Sequence, residues 1–322
     1  MNQSQFLSNC TADVVRGAAA NLAAGNLVAF PTETVYGLGA DATNSEAVAR
    51  IYSVKGRPTD HPLIVHISSM HRLGDWAADI PEYAISLARD FWPGPMTLVL
   101  RRSELAQDFI TGGQDTIGIR VPDHVVARAL LEAFENIGGK GVAAPSANRF
   151  GQVSPTTAIA VAEEIGEYLN SADQIIDGGS CVVGVESTII DCTGDSPHVL
   201  RPGAITVSMI ETSTGIEVIN VRDSQIRVSG SLETHYAPAA KLLLCETPIQ
   251  GQGFIALASI QTPPGVIRLA SPENDEEFAH VLYSALREAD SQSLTEVVVI
   301  QPIGTGIAVA IRDRLARAAN RG

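Results

Sequence analysis

Between residues 30 and 202, proline repeatedly cuts an element short and leaves polar side chains at its rim: Phe30-Pro31, Arg57-Pro58, Arg120-Val121-Pro122, Ala144-Pro145 and Arg201-Pro202. Proline has no N–H to continue a ladder or helix, and it pushes the residue before it toward extended geometry. The elements must therefore be short and end sharply. Polar groups held at the ends of short apolar strands are where open α/β sheets keep ligands, and rigid neighbours suit a site that must hold a charged ligand without moving.

The stretch Ala29 to Asp41 carries this device first. Leu27 to Phe30, bounded by Gly25-Asn26 and Pro31, reads as a buried strand, and Thr32-Glu33-Thr34 after it as a binding loop or an ordinary turn. Gly37-Leu38-Gly39-Ala40-Asp41-Ala42 matches the letters of a dinucleotide fingerprint. That motif needs its first glycine directly after the strand, with a helix following. Here six residues separate Phe30 from Gly37 and the next helix is expected at Ser45, so a nicotinamide or flavin site is rejected.

The 322 residues allow two ordinary cores. Neither a run of roughly 20 apolar residues nor a basic, apolar start is present, so a soluble cytoplasmic protein without membrane contact is expected. Cys10, Cys181, Cys192 and Cys245 form no C-x-x-C pair, which argues against a zinc ribbon or a disulfide scaffold. A net charge of −14 argues against strong direct nucleic-acid binding, though not against a cationic cleft.

Thr11 to Ala24 predicts an amphipathic helix capped by Thr11. The Ser45 helix should end at Lys55-Gly56-Arg57-Pro58, where Lys55 and Arg57 either project together toward an anion or sit at a solvated helix end. Further strands are expected at His61 to Ile67, Thr97 to Leu100, Thr116 to Pro122, Val142 to Ala144 and Glu186 to Asp191. Helices are expected at Pro81 to Trp92, from Asp123, and after Ser154-Pro155-Thr156-Thr157. We divide the chain into a first domain over 1–210, a linker over 211–240 ending in His235-Tyr236-Ala237-Pro238, and a small α/β domain over 241–322. The last should hold strands at Leu242 to Leu244, Phe254 to Leu257, Val266 to Leu269 and Val297 to Ile300, with helices at Glu277 to Ala289 and Ile307 to Ala319. Gly304-Thr305-Gly306 reads as a helix start, not a phosphate loop.

Pro31-Thr32-Glu33-Thr34-Val35-Tyr36-Gly37, Lys55-Gly56-Arg57-Pro58, His61-Pro62-Leu63-Ile64, Trp92-Pro93-Gly94-Pro95, Pro145-Ser146-Ala147-Asn148, Glu186-Ser187-Thr188 and Arg201-Pro202-Gly203 occur in one order. With these, the chain resembles the YrdC-like threonylcarbamoyl-AMP synthases of the long, two-domain branch. The resemblance implies a twisted mixed sheet with helices around a large open cleft, followed by a smaller Rossmann-like α/β domain. It implies synthesis of threonylcarbamoyl-adenylate from L-threonine, bicarbonate and ATP with release of pyrophosphate. That product serves N6-threonylcarbamoyladenosine formation at position 37 of tRNAs and would pass to transfer proteins. Phe150 stands where many relatives have serine, and Val228-Ser229-Gly230 replaces a more usual proline-glycine-methionine.

By the same resemblance, Lys55 and Arg57 would be catalytic. Lys55, Arg57, His61, Thr116, Ser146, Asn148, Ser154 and Arg201 would hold ATP, with His235 and Tyr236 folding over it. Thr34, His66, Arg120, Ala144 and Ser187 would hold threonine or its carbamate. Magnesium is expected on the ATP phosphates without a dedicated protein cage. Two alternatives stay in play: a carbamoyl-adenylate-forming carbamoyltransferase, and a non-catalytic module for double-stranded RNA.

Overall fold

Leu27 and Ala29 pack into one apolar cluster while Val28 and Phe30 pack into another. The run that stops at Pro31 is thus buried on both faces, which is why it reads as continuously apolar. The computed structural model describes residues 7–218, 226–230, 236–244 and 246–320.

In chain order the strands of the first sheet are β1 (Leu7–Asn9), β2 (Val28–Phe30), β3 (Gly37–Asp41), β4 (Ile64–His66), β5 (Ala77–Ala78), β6 (Met96–Arg102), β7 (Thr116–Arg120), β8 (Val142–Ala143), β9 (Gln174–Asp177), β10 (Thr188–Asp191) and β11 (His198–Arg201). Their order across the sheet is β1-β9-β2-β3-β8-β4-β7-β6-β10-β11, with β5 on β6. Pairing is mixed: β4 runs parallel to β7 and β6 to β10, while β3, β8 and β11 are antiparallel to their neighbours.

The helices are α1 (Ala12–Ala23), α2 (Ser45–Lys55), α3 (Leu73–Trp76), α4 (Glu82–Phe91), α5 (Asp108–Thr111), α6 (Val125–Asn136), α7 (Ala158–Ile165), α8 (Val207–Thr214), α9 (Asp275–Ser291) and α10 (Ile307–Ala319). The Thr11 side chain caps α1 by accepting from the Val14 N–H, and Val15, Ala18, Ala19 and Leu22 are buried, as the helical spacing requires. α1 and α6 share one apolar cluster with Val28 and Phe30; α2 buries Val48 and Ile51 in the other. Both faces of the sheet are therefore covered near β2.

Most expected elements shift by a few residues, the strand expected at His61 to Ile67 shrinking to Ile64–His66, and three of the other differences bear on the site or the domain boundary. The helix after Pro122 begins at Val125 because the Asp123 N–H donates to Glu33 Oε2 at 3.0 Å, and His124 takes the cap instead. The strand expected from Glu186 begins at Thr188; Glu186 and Ser187 belong to the site wall described below. α8 runs through residue 210, so 211–214 are helical and not linker. Its hydroxyl-rich end hides the periodicity, with Thr212 and Thr214 donating to carbonyls one turn back.

The C-terminal unit holds β12 (Lys241–Leu244), β13 (Gly253–Ile255), β14 (Ile267–Ala270) and β15 (Glu296–Val299), all parallel in the order β12-β15-β13-β14. Its core is not its own. Val35, Val153 and Val185 of the first unit share an apolar cluster with Phe278, Leu282, Tyr283, Ile311 and Leu315. The segment around Gly184 passes so close to α9 that a Cβ there would lie 2.4 Å from the Ala279 carbonyl oxygen, and its φ of +80° also favours glycine.

Candidate active site

Sheet register assembles the site. His66 ends β4 and Arg120 ends β7, and the two are Cα partners across the parallel pair. Ser187 immediately precedes β10, and Arg201 ends the antiparallel β11, so their side chains meet beside the same strand ends. Gly37 bridges to Ser146, which brings the loop after β8 over the start of β3. Residues from five strand ends therefore face one hollow.

Of the residues singled out from sequence, Thr34, Arg57, His66, Arg120, Ala144, Ser146, Ser187, Arg201 and Tyr236 line that hollow together. Thr116 lines a smaller neighbouring one that shares Ile64 and Ser229 with it. His61 sits outside, its ring edge-on to Phe150 with centroids 5.4 Å apart, and Arg57 lies 5.9 Å from the Phe150 ring centroid. Phe150 thus provides an aromatic face that both groups approach. Asn148 anchors its own turn, donating to the carbonyls of Arg149 and Gln152, and its buried Oδ1 has no partner. Ser154 reaches the wall through Glu186, to which it donates at 2.6 Å. His235 lies outside the described residues.

Lys55 corrects the sequence reading. It is the last residue of α2, and Gly56 turns the chain through a left-handed cap with φ 61°, so Lys55 and Arg57 do not form an extended i, i+2 pair. The Lys55 ammonium donates to the Ser146 carbonyl at 2.6 Å and the Asn148 carbonyl at 2.5 Å. It holds the Ser146–Asn148 loop from behind and does not line the hollow. Burial, and then the nearby Arg57, push its pKa well below that of an ordinary amine.

The cations in the hollow are buried and already oriented. Arg57 donates to the Pro62 carbonyl at 2.9 Å and to Ser229 Oγ at 3.1 Å; burial lowers its pKa to about 10, which still leaves it charged at neutral pH. Arg201 donates to the Ser187 carbonyl and hydroxyl and to the Ser229 carbonyl. Arg120 is held by Glu33 through a 2.6 Å ion pair, while its buried Nε has no partner. His66 is pushed down to about 3 by burial first and Arg120 second, so its imidazole is neutral, and its Nδ1 is buried without a partner. Unsatisfied buried guanidinium donors such as Arg120 Nε are what an anionic ligand would complete.

Glu33, Glu186 and Ser229 were not among the site residues expected from the sequence. Glu33 carried a signal: a carboxylate inside a loop of apolar and hydroxyl residues needs a buried cation. Ser229 carried none, because it reaches Arg57 and Arg201 only through tertiary packing. The fingerprint-like glycines fall on β3, an inner strand, with no helix N-terminus behind Gly37.

The hollow is small, about 50 Å³. Ser229, Gly230 and Tyr236 lie across it, and Tyr236 holds a φ of 64° that a side chain rarely adopts. Gly230 is required there: a Cβ would lie 2.1 Å from the Tyr236 hydroxyl.

Residues 20–203 match the family described as telomere recombination, Sua5_yciO_yrdC, and residues 205–320 match the threonylcarbamoyl-AMP synthase C-terminal domain. A threonylcarbamoyl-AMP synthase of Pyrococcus abyssi is 40% identical over 324 residues, spanning 94% of this chain and 93% of that protein. The chain belongs to the threonylcarbamoyl-AMP synthase family. A synthase of Bacillus subtilis is 39% identical over 94% of this chain and 92% of its own length. The crystal structure of P. abyssi Sua5 complexed with L-threonine superposes with a TM-score of 0.86 at 38% identity, covering 97% of both chains. The two matched segments correspond to the mixed-sheet unit and the C-terminal unit of this fold.

Proposed function

We propose that this enzyme makes L-threonylcarbamoyl-AMP from L-threonine, bicarbonate and ATP, releasing pyrophosphate, as the first step of N6-threonylcarbamoyladenosine formation in tRNA. The observation that carries the reading is the convergence of Arg57, Arg120 and Arg201 on one hollow, in a chain similar to synthases over nearly its whole length. The threonine amine adds to the carbon of bicarbonate with loss of water, giving an N-carboxylate. An oxygen of that carboxylate attacks the α-phosphorus of ATP, the P–O bond to the β-phosphate breaks, and pyrophosphate leaves.

Such a reaction needs positioned cations and little water, because the carbamate decomposes in water and the transition state spreads negative charge over phosphoryl oxygens. In our reading Arg120 holds a carboxylate through the guanidinium edge that Glu33 leaves open. Neutral His66, Thr34, Ala144 and Ser187 surround the amino acid and its carbamate. Arg57 and Arg201 take the phosphates; Ser146, Asn148, Ser154, Thr116 and His61 shape the nucleotide side, and Lys55 acts by holding the Ser146–Asn148 loop. In this reading magnesium enters on the substrate as MgATP, carried by the phosphates.

Ligand pockets of several hundred Å³ are usual, so in this reading residues 228–230 and Tyr236 move aside for ATP to enter. The product, a mixed anhydride, would go to proteins that transfer the group to tRNA. Among the described residues no helix is long and apolar enough to cross a membrane, and we place the reaction in the cytoplasm, where its substrates are.

The test is direct. Protein incubated with L-threonine, bicarbonate, magnesium and ATP labelled at the α-phosphate should yield a new adenylate and pyrophosphate, with threonine preferred over serine. Arg57→Ala should lower the rate on the order of 100-fold or more with an unchanged circular dichroism spectrum. Pyrophosphate release independent of threonine would sink the reading.

A further inference from the structure

Two side chains of the C-terminal unit end on the wall of the hollow. Glu186, which lines it, is 6% exposed. Its Oε1 accepts from Ser154 Oγ at 2.6 Å; its Oε2 accepts from the Tyr283 hydroxyl at 2.8 Å and from Arg314 Nε at 2.8 Å. Tyr283 is on α9 and Arg314 on α10. Arg314 is 1% exposed and stands on the buried stripe of its helix with Ile311, Leu315 and Ala318. It also donates to the carbonyl of Pro202, the residue after Arg201, and its guanidinium lies 5.3 Å from the ring centroid of Tyr236. The Tyr236 ring stacks on Tyr283 at 5.8 Å.

A carboxylate facing a hollow meant for a polyphosphate is a liability. Unpaired, it would repel the phosphates and draw the guanidinium of Arg201, whose position on the same wall is otherwise set by Ser187 and Ser229. Arg314 approaches Glu186 from behind, outside the hollow, and satisfies the charge there. The Ser154 hydroxyl is then held by an acceptor with a fixed orientation, and Arg201 stays available.

We infer that Arg314 and Tyr283 are positioning residues of the nucleotide site, so that the C-terminal unit completes that site by neutralising and orienting Glu186 for Ser154 and Arg201. This rests on the proposed ATP-dependent function, and it assigns to α9 and α10 a part in ATP affinity beyond domain packing.

The experiment measures MgATP binding to the full chain by titration calorimetry, with adenylate formation and thermal unfolding alongside. Arg314→Met should weaken MgATP binding at least tenfold. The double variant Arg314→Met with Glu186→Gln, which removes both charges, should return the affinity to within about threefold of the parent. Tyr283→Phe keeps the ion pair and removes one hydrogen bond, so it should weaken binding a few-fold with little change in Tm; it serves where Arg314→Met does not fold. A purely structural role would let the double variant recover Tm without recovering affinity. That result, or folded Arg314→Met and Tyr283→Phe proteins with parental affinity, would overturn the inference. Failure of the parent protein to bind MgATP would overturn the functional reading and this inference with it, whereas tight parental binding with indifferent variants would overturn this inference alone.

Discussion

Two buried carboxylate–guanidinium pairs flank the hollow, and they face it in opposite senses. On one wall Arg120 lines the hollow and Glu33 stands behind it, 87 residues away in the chain but in the same unit. On the other wall Glu186 lines the hollow and Arg314 stands behind it, 128 residues away in the other unit. The first pair presents a cation and uses its carboxylate as an anchor. The second presents a carboxylate whose charge is cancelled from the back. The first wall therefore suits an anionic substrate directly, whereas the second depends on how two units pack.

The largest way to break this comparison is Arg314→Ala. With both side chains almost wholly buried, removing one partner should cost about 3–5 kcal/mol, read as a lower urea midpoint. The double variant Arg314→Ala with Glu186→Gln should recover most of that loss. An unchanged midpoint for the single variant would mean that the cross-unit pair is no stronger than an exposed one.

Acid should reveal the same pair with a slightly smaller effect. Burial alone would raise the Glu186 pKa, but Arg314 first and Arg201 next hold it down to about 2, against 4.5 for an ordinary carboxyl. A carboxyl whose folded-state pKa is depressed contributes stability that is fully present above the ordinary value and is lost as pH falls through the folded one. The window is therefore pH 4.5 to about 2, and the contribution is on the order of 3 kcal/mol. Glu186→Gln should show a flatter fall in that window; parallel curves would count against the ion pair.

Glu33→Gln sharpens the contrast at the smallest cost. Gln retains one acceptor for Arg120 or the Asp123 N–H but loses the charge, about 1.5–3 kcal/mol for a hydrogen bond to a charged group. It should raise KM for threonine severalfold and leave KM for ATP near the parental value, the reverse of Arg314→Met. Equal effects on both substrates would erase the distinction between the two walls.

Much of the site was legible because its members sit beside prolines and glycines whose effects are local. Arg57, Arg120, Arg201 and Ser146 all occur at such positions, and all reach the hollow. Lys55 looked equivalent but is not, because the left-handed turn at Gly56 and the carbonyls of Ser146 and Asn148, 91 and 93 residues on, decide where its ammonium goes. Arg314 was not singled out; a charge on the apolar stripe of α10 is the one signal that could have found it.

The sequence by itself determined where several elements start and stop: Thr11 and Thr157 cap helices through their own hydroxyls, and Pro31 and Pro122 close strands. It also determined the α/β character of both units, since strand and helix periods are properties of a few neighbouring residues. Only the tertiary structure decided which charge faces the hollow and which stands behind it, how little space Ser229, Gly230 and Tyr236 leave, and that Val35, Val153 and Val185 finish the core of the other unit. Those outcomes depend on burial and on partners roughly a hundred residues apart, where no local preference operates and the cost of an unpaired buried charge selects the arrangement.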